Sequence, residues 1–104
     1  MWSMETTQEF AQEFIVEITT TYPDGTDPAE VTALRAAEAV RAKELAATGN
    51  LVRLWRPVGE PRSIGLWRAA DEDDLRMNVL GTLPLRAWMT FDVTAVRPHP
   101  NNPA

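Results

Sequence analysis

Glu38 lies on the apolar side of the longest predicted helix, where a carboxylate could serve to move protons. At about 100° per residue, it falls in angle between Leu34 and Leu45, with Val31 and Ala42 on the same side. A carboxylate in this position has to be desolvated, paired with a cation or turned towards a cavity. Beside a pocket, desolvation would raise the pKa of Glu38 and suit it to proton transfer near neutral pH.

The same pattern leaves structural interpretations of Glu38 open. Its side chain could lean outwards and pair with a cation, and the candidates are Arg35, Arg41 and Arg53. The helix could also be rotated by some tens of degrees, because its alanine-rich sequence allows a broad buried arc.

Two tryptophan–arginine pairs, Trp55-Arg56 and Trp67-Arg68, lie on neighbouring predicted strands. A guanidinium beside an indole can hold a planar anion, because the guanidinium donates paired hydrogen bonds and the ring stacks. The alternative for either pair is a core tryptophan with an arginine at the edge of the strand. Arg53 and Arg56 lie on opposite faces of their strand, so at most one of them points towards a given cavity.

Composition and charge bound the classes of function open to this chain. Its 104 residues suffice for one small domain, and a hydrophobic fraction of 44% supports a packed core. The net charge of -5 argues against sequence-independent binding of nucleic acid and against adsorption to an acidic membrane. We therefore expect neither nucleic acid nor a membrane as a partner.

The chain has no cysteine and a single histidine, His99. Disulfides, zinc–thiolate sites and thiol nucleophiles are thereby excluded, and a metal site with several histidines cannot form within one chain. Residues 1–13 lack the regions of a signal peptide and are expected to form a flexible tail. Because no apolar stretch approaches the length of a membrane span, we expect a soluble cytoplasmic protein that holds no metal.

The hydrophobic pattern predicts the element order β-α-β-β-α-β. Strands are predicted at 14–22, 51–58, 63–69 and 88–96, and helices at 27–48 and 71–80. Asp27 followed by Pro28 begins the first helix and Gly49 ends it, whereas the acidic run 71–74 suits the first turn of the second helix.

This order is typical of the ferredoxin-like α+β fold, an antiparallel sheet with two helices on one face. The other face would mix tryptophan, arginine and carboxylate side chains, which is a poor composition for plain solvent surface. We therefore predict that two subunits pack sheet against sheet in a dimeric α/β-barrel assembly.

Several short motifs follow one another in a set order and spacing along residues 14–100. They are Asp27-Pro28-Ala29, Gly49, Leu54-Trp55-Arg56, Leu83-Pro84-Leu85, Met89 and Arg97-Pro98-His99-Pro100. Each is weak alone, but the set resembles the muconolactone delta-isomerase family. We therefore delimit an isomerase-like domain at 14–100, flanked by the N-terminal tail 1–13 and a C-terminal tail at 101–104.

The resemblance implies a cofactor-free isomerase that converts muconolactone to 3-oxoadipate enol-lactone, in the catechol branch of the β-ketoadipate pathway. A proton leaves C4 and one is delivered to C2, which moves the C=C bond. Glu38 aligns with a glutamate of the family's helix and is the acid/base candidate. The candidate substrate-binding residues are Arg35, Arg53, Trp55, Arg56 and Trp67. The resemblance also implies a homo-oligomer, with dimers assembling into a ring that is commonly a decamer.

Two departures from the family pattern leave the substrate open. Some members carry lysine where this chain has Arg35, and the hairpin turn at 59–61 contains no histidine. The alternatives are an enzyme for a substituted or halogenated butenolide, and a non-catalytic module of the same fold that binds a ligand or serves assembly.

Overall fold

The computed structural model describes residues 12–103, which form the predicted β-α-β-β-α-β order. The elements are β1 (Gln12–Thr20), α1 (Pro28–Ala47), β2 (Leu51–Trp55), β3 (Ser63–Ala69), a helical segment at 72–82 and β4 (Met89–Val96). The strands form one antiparallel sheet in the order β2-β3-β1-β4. The ferredoxin-like α+β fold is therefore confirmed.

The alternation of buried and half-buried residues along β1 shows which face of the sheet is covered. Phe14, Val16 and Ile18 are buried, and each is paired with a residue of β3 that shares its face. Trp67 is the β3 partner of Phe14, and it is buried on the same face. The core on this side is completed by residues from α1, from the helical segment and from the connection to β4, namely Leu45, Leu75, Val79, Leu80 and Leu83.

Helix α1 begins and ends where its capping residues predict. The side chain of Asp27 accepts a hydrogen bond from the Ala29 N–H at 3.0 Å, and Pro28 occupies the first turn. Gly49 follows the last turn with a φ of 88°, a left-handed conformation that glycine adopts without strain. Leu45 is the one fully buried residue that the structure describes in this helix.

The second helix is in the predicted place but is not a regular α-helix. Asp71 caps its start by accepting a hydrogen bond from the Asp74 N–H at 2.8 Å. One α-helical turn passes into a π-helical turn at Leu75–Val79 and then into a 3₁₀ turn at Leu80–Thr82. The π turn holds more residues per turn, which brings Leu80 closer in direction to Leu75 and lets both be buried.

Strand β2 contains an irregularity that changes the direction of its side chains. Leu51 lies opposite Trp67 and Arg53 lies opposite Leu66, so an extra residue is accommodated between these two pairs. The strand ends at Trp55, three residues earlier than predicted, and Arg56 follows directly.

The predicted tails are tested only in part. Gln12 and Glu13, assigned to the N-terminal tail, belong to β1, while residues 1–11 and 104 lie outside the described part of the chain. Residues 97–103 contain no helix or strand. No helix within residues 12–103 is both long and apolar enough to cross a membrane.

Gly65→Ala tests how closely the sheet packs around Trp67. A Cβ at this position would lie 2.3 Å from Trp67 Nε1 and 3.2 Å from Leu54 Cδ1. We expect the free energy of unfolding to fall by about 1–3 kcal/mol, the usual cost of overpacking. Chemical denaturation at a fixed protomer concentration measures the change.

The matched comparison is the same substitution in a Trp67→Phe background. There the loss of stability should be smaller, because the atom that the new Cβ meets is absent. An equal loss in both backgrounds would show that the indole does not set the constraint at Gly65.

Candidate active site

A cavity of about 440 Å³ lies between α1 and the covered face of the sheet. Its α1 wall contains Ala39 and Ala42, whose side chains are too short to fill the space above the strands. Ile18, Leu54 and Met89 supply apolar surface from three strands. The hollow is therefore a direct result of small residues on the helix facing larger ones on the sheet.

Glu38 faces this cavity from α1. It is half-buried, and its Oε1 accepts a hydrogen bond from the Leu85 backbone N–H at 3.1 Å. Burial raises the pKa of Glu38, and the Leu85 N–H, which favours the charged form, opposes that rise only in part. A carboxylate with a raised pKa in a cavity is suited to accepting and returning a proton.

The outward-pairing alternative for Glu38 is not what the structure contains. Among residues 12–103, Glu38 forms no ion pair, whereas Arg41 pairs with Glu44 at 2.9 Å and donates to Thr82 Oγ1 at 3.0 Å. Arg53 lies on a different face of the sheet from the cavity.

The connection between the helical segment and β4 holds Leu85 in position. The Leu83 N–H donates to the Leu80 carbonyl, and the Arg86 N–H donates to the Leu83 carbonyl, both at 3.1 Å. The side chains of Leu83 and Leu85 are buried in the cavity wall. This packing fixes the Leu85 N–H, which points sideways to Glu38 instead of joining the sheet.

Arg35 and Arg56 are the two cations that line the cavity. Arg35 lies one turn before Glu38 on α1, and Arg56 follows β2 on the opposite wall. Both are exposed, and neither forms an ion pair with any residue in the range 12–103. They can therefore meet an anion at the mouth of the cavity.

Trp67 lines the cavity, but Trp55 and Arg53 do not. Arg53 lies opposite Leu66 and Trp55 opposite Ile64, so both project from the open face of the sheet. Trp55 is 49% exposed there, and the predicted contact of these two residues with the same ligand is not supported by the cavity. The irregularity in β2 is the cause, because it sets which residues of this strand face inwards.

Three polar residues of the wall, Thr20, Tyr22 and Ser63, were missed by the sequence analysis. Two of them could have been found from the sequence. Thr20 and Ser63 fall at alternate positions that share a face with the buried residues of β1 and β3. Polar side chains at the ends of buried positions indicate where a covered face opens into a cavity. Tyr22 follows β1, and its ring contacts Trp88 edge to face at 5.4 Å.

The acidic run 71–74 serves the start of the helical segment. Besides the cap at Asp71, Asp74 accepts hydrogen bonds from the Ala70 N–H and the Asn78 side chain, and Glu72 pairs with Arg76. No group of three acidic, histidine or cysteine side chains is placed to hold a metal ion within residues 12–103.

Comparison with known proteins gives a family and a fold. The model of the family described as muconolactone delta-isomerase matches residues 12–102. The crystal structure of a muconolactone isomerase matches with a TM-score of 0.79 and 28% identity, covering 88% of this chain and 95% of that one. SnoaB, a cofactor-independent oxygenase from Streptomyces nogalater, is a more distant likeness, with a TM-score of 0.44, 23% identity, and coverage of 89% and 98%.

No curated protein sequence matches the chain significantly. The family model nevertheless spans nearly the whole of the described chain, and the structural match extends over almost the full length of the solved isomerase. The resemblance predicted from the short motifs is confirmed, and the chain belongs to the muconolactone delta-isomerase family.

Proposed function

We propose that this protein isomerises muconolactone to 3-oxoadipate enol-lactone, with Glu38 as the group that moves the proton. The observation that carries the proposal is the Glu38 carboxylate, held inside a cavity by a backbone N–H and without a cationic partner among residues 12–103. Membership of the family supports an isomerase of this kind. The exact lactone, and the place of the reaction in the catechol branch of the β-ketoadipate pathway, are part of the proposal.

The cavity suits a small anionic lactone. Its volume of about 440 Å³ is within the range of ligand pockets, and its walls are mostly apolar with a few polar groups. The exposed guanidiniums of Arg35 and Arg56 would bind the substrate carboxylate at the mouth, where that charge keeps part of its hydration. The ring then lies inwards, with Trp67 as one wall.

The reaction requires one group that accepts a proton and gives it back. Glu38 Oε1 is occupied by the Leu85 N–H, while Oε2 accepts no hydrogen bond from residues 12–103. In the proposed step Oε2 removes the proton at C4, and the electron pair of that bond enters the ring. The same carboxyl group then protonates C2, so the C=C bond moves and the enzyme is restored without a cofactor.

The open face of the sheet supports the proposed assembly. Ile15, Ile64 and Leu66 are only half-buried there in a single chain, and Trp55 is exposed beside them. Burying this apolar surface against a second copy is the favoured way to remove it from water. We infer a homo-oligomer built from sheet-to-sheet dimers, with the decamer as the ring implied by the family.

Glu38→Gln should abolish most of the activity. The amide can still accept the Leu85 N–H but cannot take a proton, so kcat should fall by about 10²–10⁴ while binding persists. Conversion of muconolactone followed by ultraviolet absorbance or NMR measures the change.

Glu44→Gln is the matched control, since Glu44 is an exposed glutamate on the same helix, paired with Arg41.

The folded state of the wild type binds the Glu38 proton more tightly than the unfolded chain does. That contribution to stability is present below the unfolded pKa and lost as the pH rises through the folded one, so a neutral amide at Glu38 should be tolerated at neutral pH. An active Glu38→Gln enzyme would remove Glu38 from the mechanism.

Wild-type protein that binds muconolactone without turning it over would instead indicate the non-catalytic module. A parallel screen of butenolides with and without a halogen decides between muconolactone and a substituted lactone as the preferred substrate.

The acid limb of the pH profile should report the ionisation of Glu38. A base works only when deprotonated, so kcat/KM should fall as the pH drops through the pKa of this group in the free enzyme. Burial raises that pKa above the ordinary value of 4.5, so the midpoint of the limb should lie above 4.5. A kcat/KM profile across the acidic range measures it, and a midpoint at or below 4.5 would contradict the assignment.

Arg56→Gln and Arg53→Gln should separate the two faces of the strand. Loss of the cavity-lining cation should raise KM roughly tenfold, the equivalent of about 1.4 kcal/mol, with a smaller effect on kcat. Arg53 is close in sequence but on the open face, so its substitution should leave KM unchanged. Steady-state kinetics on both variants, with light scattering to check assembly, makes the comparison. A higher KM for Arg53→Gln in intact oligomers would instead support the contact between Arg53 and the substrate that the sequence predicted.

A further inference from the structure

Arg53 and Asp92 are charged residues on the open face of the sheet, and neither forms an ion pair with any of residues 12–103. They lie on the two edge strands, Arg53 on β2 and Asp92 on β4, and both are exposed. The strand order β2-β3-β1-β4 separates them by the width of the sheet, so they do not pair with each other within one chain.

The carboxylate of Asp92 lies in an unfavourable position. Asp92 is directly opposite Glu17 on β1, and like charges placed in this way destabilise a sheet. Arg62 pairs with Glu17 but also with Glu60, so this cation already serves two carboxylates. Residues 1–11 contain no lysine, arginine or histidine that could compensate the charge. Asp92 is therefore left without a cation in its own chain.

Arg53 and Trp55 together form a site for a planar anion. They are alternate residues of β2, so they stand side by side on the open face, about 7 Å apart. The guanidinium can donate paired hydrogen bonds to a carboxylate beside the indole. Both residues are exposed, so a second molecule can reach them. A ligand in the cavity lies on the other side of the sheet and cannot be their anion.

The charges on the strands of the open face are divided into two halves. Arginines occupy β2 and β3, whereas carboxylates occupy β1 and β4. The arginines are Arg53 and Arg68, and the carboxylates are Glu13, Glu17 and Asp92. A face divided in this way is complementary to itself when a second copy is turned so that its acidic half covers the basic half.

A two-fold axis that runs along the strands, between β3 and β1, produces this arrangement. It lays β2 over β4 of the second copy and β3 over its β1, and it preserves the position along the strands. Trp55, Ile64, Glu17 and Asp92 occupy one row across the sheet. Trp55 would therefore lie over Asp92 of the partner subunit, with Arg53 one step away on the same strand.

An axis that runs across the strands gives the opposite result. It would lay the basic half over the basic half and the acidic half over the acidic half, and like charges brought together at an interface cost free energy of binding. Both arrangements cover the half-buried Ile15, Ile64 and Leu66, so burial of apolar surface does not choose between them. The charges therefore set the orientation.

We propose that Arg53 and Trp55 of one subunit bind the carboxylate of Asp92 of the partner subunit, and that this contact orients the sheet-to-sheet dimer. Because the dimer is two-fold symmetric, the contact is made twice. The inference rests on the homo-oligomer of the proposed function, and it adds the direction of the two-fold axis and the residues that select it.

Charge reversal tests the contact. Asp92→Arg would place two arginines together at each contact, and Arg53→Asp would place two aspartates together. Each single variant should raise the dissociation constant of the dimer by about 10²-fold, because facing like charges weaken an interface strongly. The double variant carries both reversals and restores opposite charges, so its dissociation constant should return to within about tenfold of the wild type. Sedimentation velocity over a range of protein concentrations measures these constants.

Mixing the two single variants gives a sharper result. A mixed dimer of Asp92→Arg with Arg53→Asp has opposite charges at both contacts, whereas each homodimer has like charges at both. The mixture should therefore form mixed dimers in preference to either homodimer. Native mass spectrometry counts them, since the two chains differ in mass.

Asp73→Arg is the matched control. Asp73 is an exposed aspartate at the start of the helical segment, and it forms no ion pair within the range 12–103. The same change of charge there should leave assembly as in the wild type. If a reversed variant does not fold, the neutral variants Asp92→Asn and Arg53→Gln replace it. Each should weaken the dimer, and the two together should weaken it by less than the sum of the single effects.

Three results would overturn the proposal. They are single variants that assemble like the wild type, a double variant and a mixture that recover nothing, and a wild-type protein that stays monomeric at every concentration. Turnover of muconolactone by the same wild-type preparation reports separately on the isomerase, so failure of the contact and failure of the proposed reaction are distinguishable.

Discussion

The hydrogen bond from the Leu85 N–H to Glu38 is the interaction on which the rest of the site depends. It gives a half-buried carboxylate one fixed partner without neutralising its charge, so the group is oriented while its pKa remains raised. The geometry is held by leucines at positions 83 and 85, both buried, on the chain that enters β4. Core packing and the position of the Glu38 carboxylate thus depend on the same short connection.

The cavity exists because the small side chains of α1 do not fill the space above the strands. Ala39 and Ala42 line the cavity where a tightly packed helix would place leucine, and Leu45 is the buried residue of the helix. Leaving this volume open forgoes burial that would otherwise stabilise a small domain. The fold therefore leaves the interface between its two layers partly open and relies on the sheet, the helical segment and the connection to β4 for most of its core.

Much of this architecture could be predicted from local sequence. Asp27 and Gly49 mark the ends of α1 because capping depends on neighbours in the chain, and the alternation of β1 reports burial directly. The inward position of Glu38 followed from helical periodicity for the same reason. The second helix was predicted in the right place, but its π turn was not, because that turn depends on the packing of Leu75 and Leu80, which no local pattern records.

The parts of the site that escaped prediction depend on tertiary contacts. A backbone donor such as the Leu85 N–H carries no signature in residue type. Arg53 and Arg56 could be assigned to opposite faces, but the sequence alone could not say which of them faces the helix.

Which of the two arginines faces the helix is set by the extra residue accommodated between Leu51 and Arg53. In a regular ladder the inward positions after Leu51 would be 53 and 55, which would turn an arginine and an indole into the cavity and send Leu54 and Arg56 to the open face of the sheet. Deletion of a single residue at this point would therefore change both the lining of the cavity and the side chains on the open face of the sheet. A relative that differs in length at this point should therefore differ on both faces of the sheet at once.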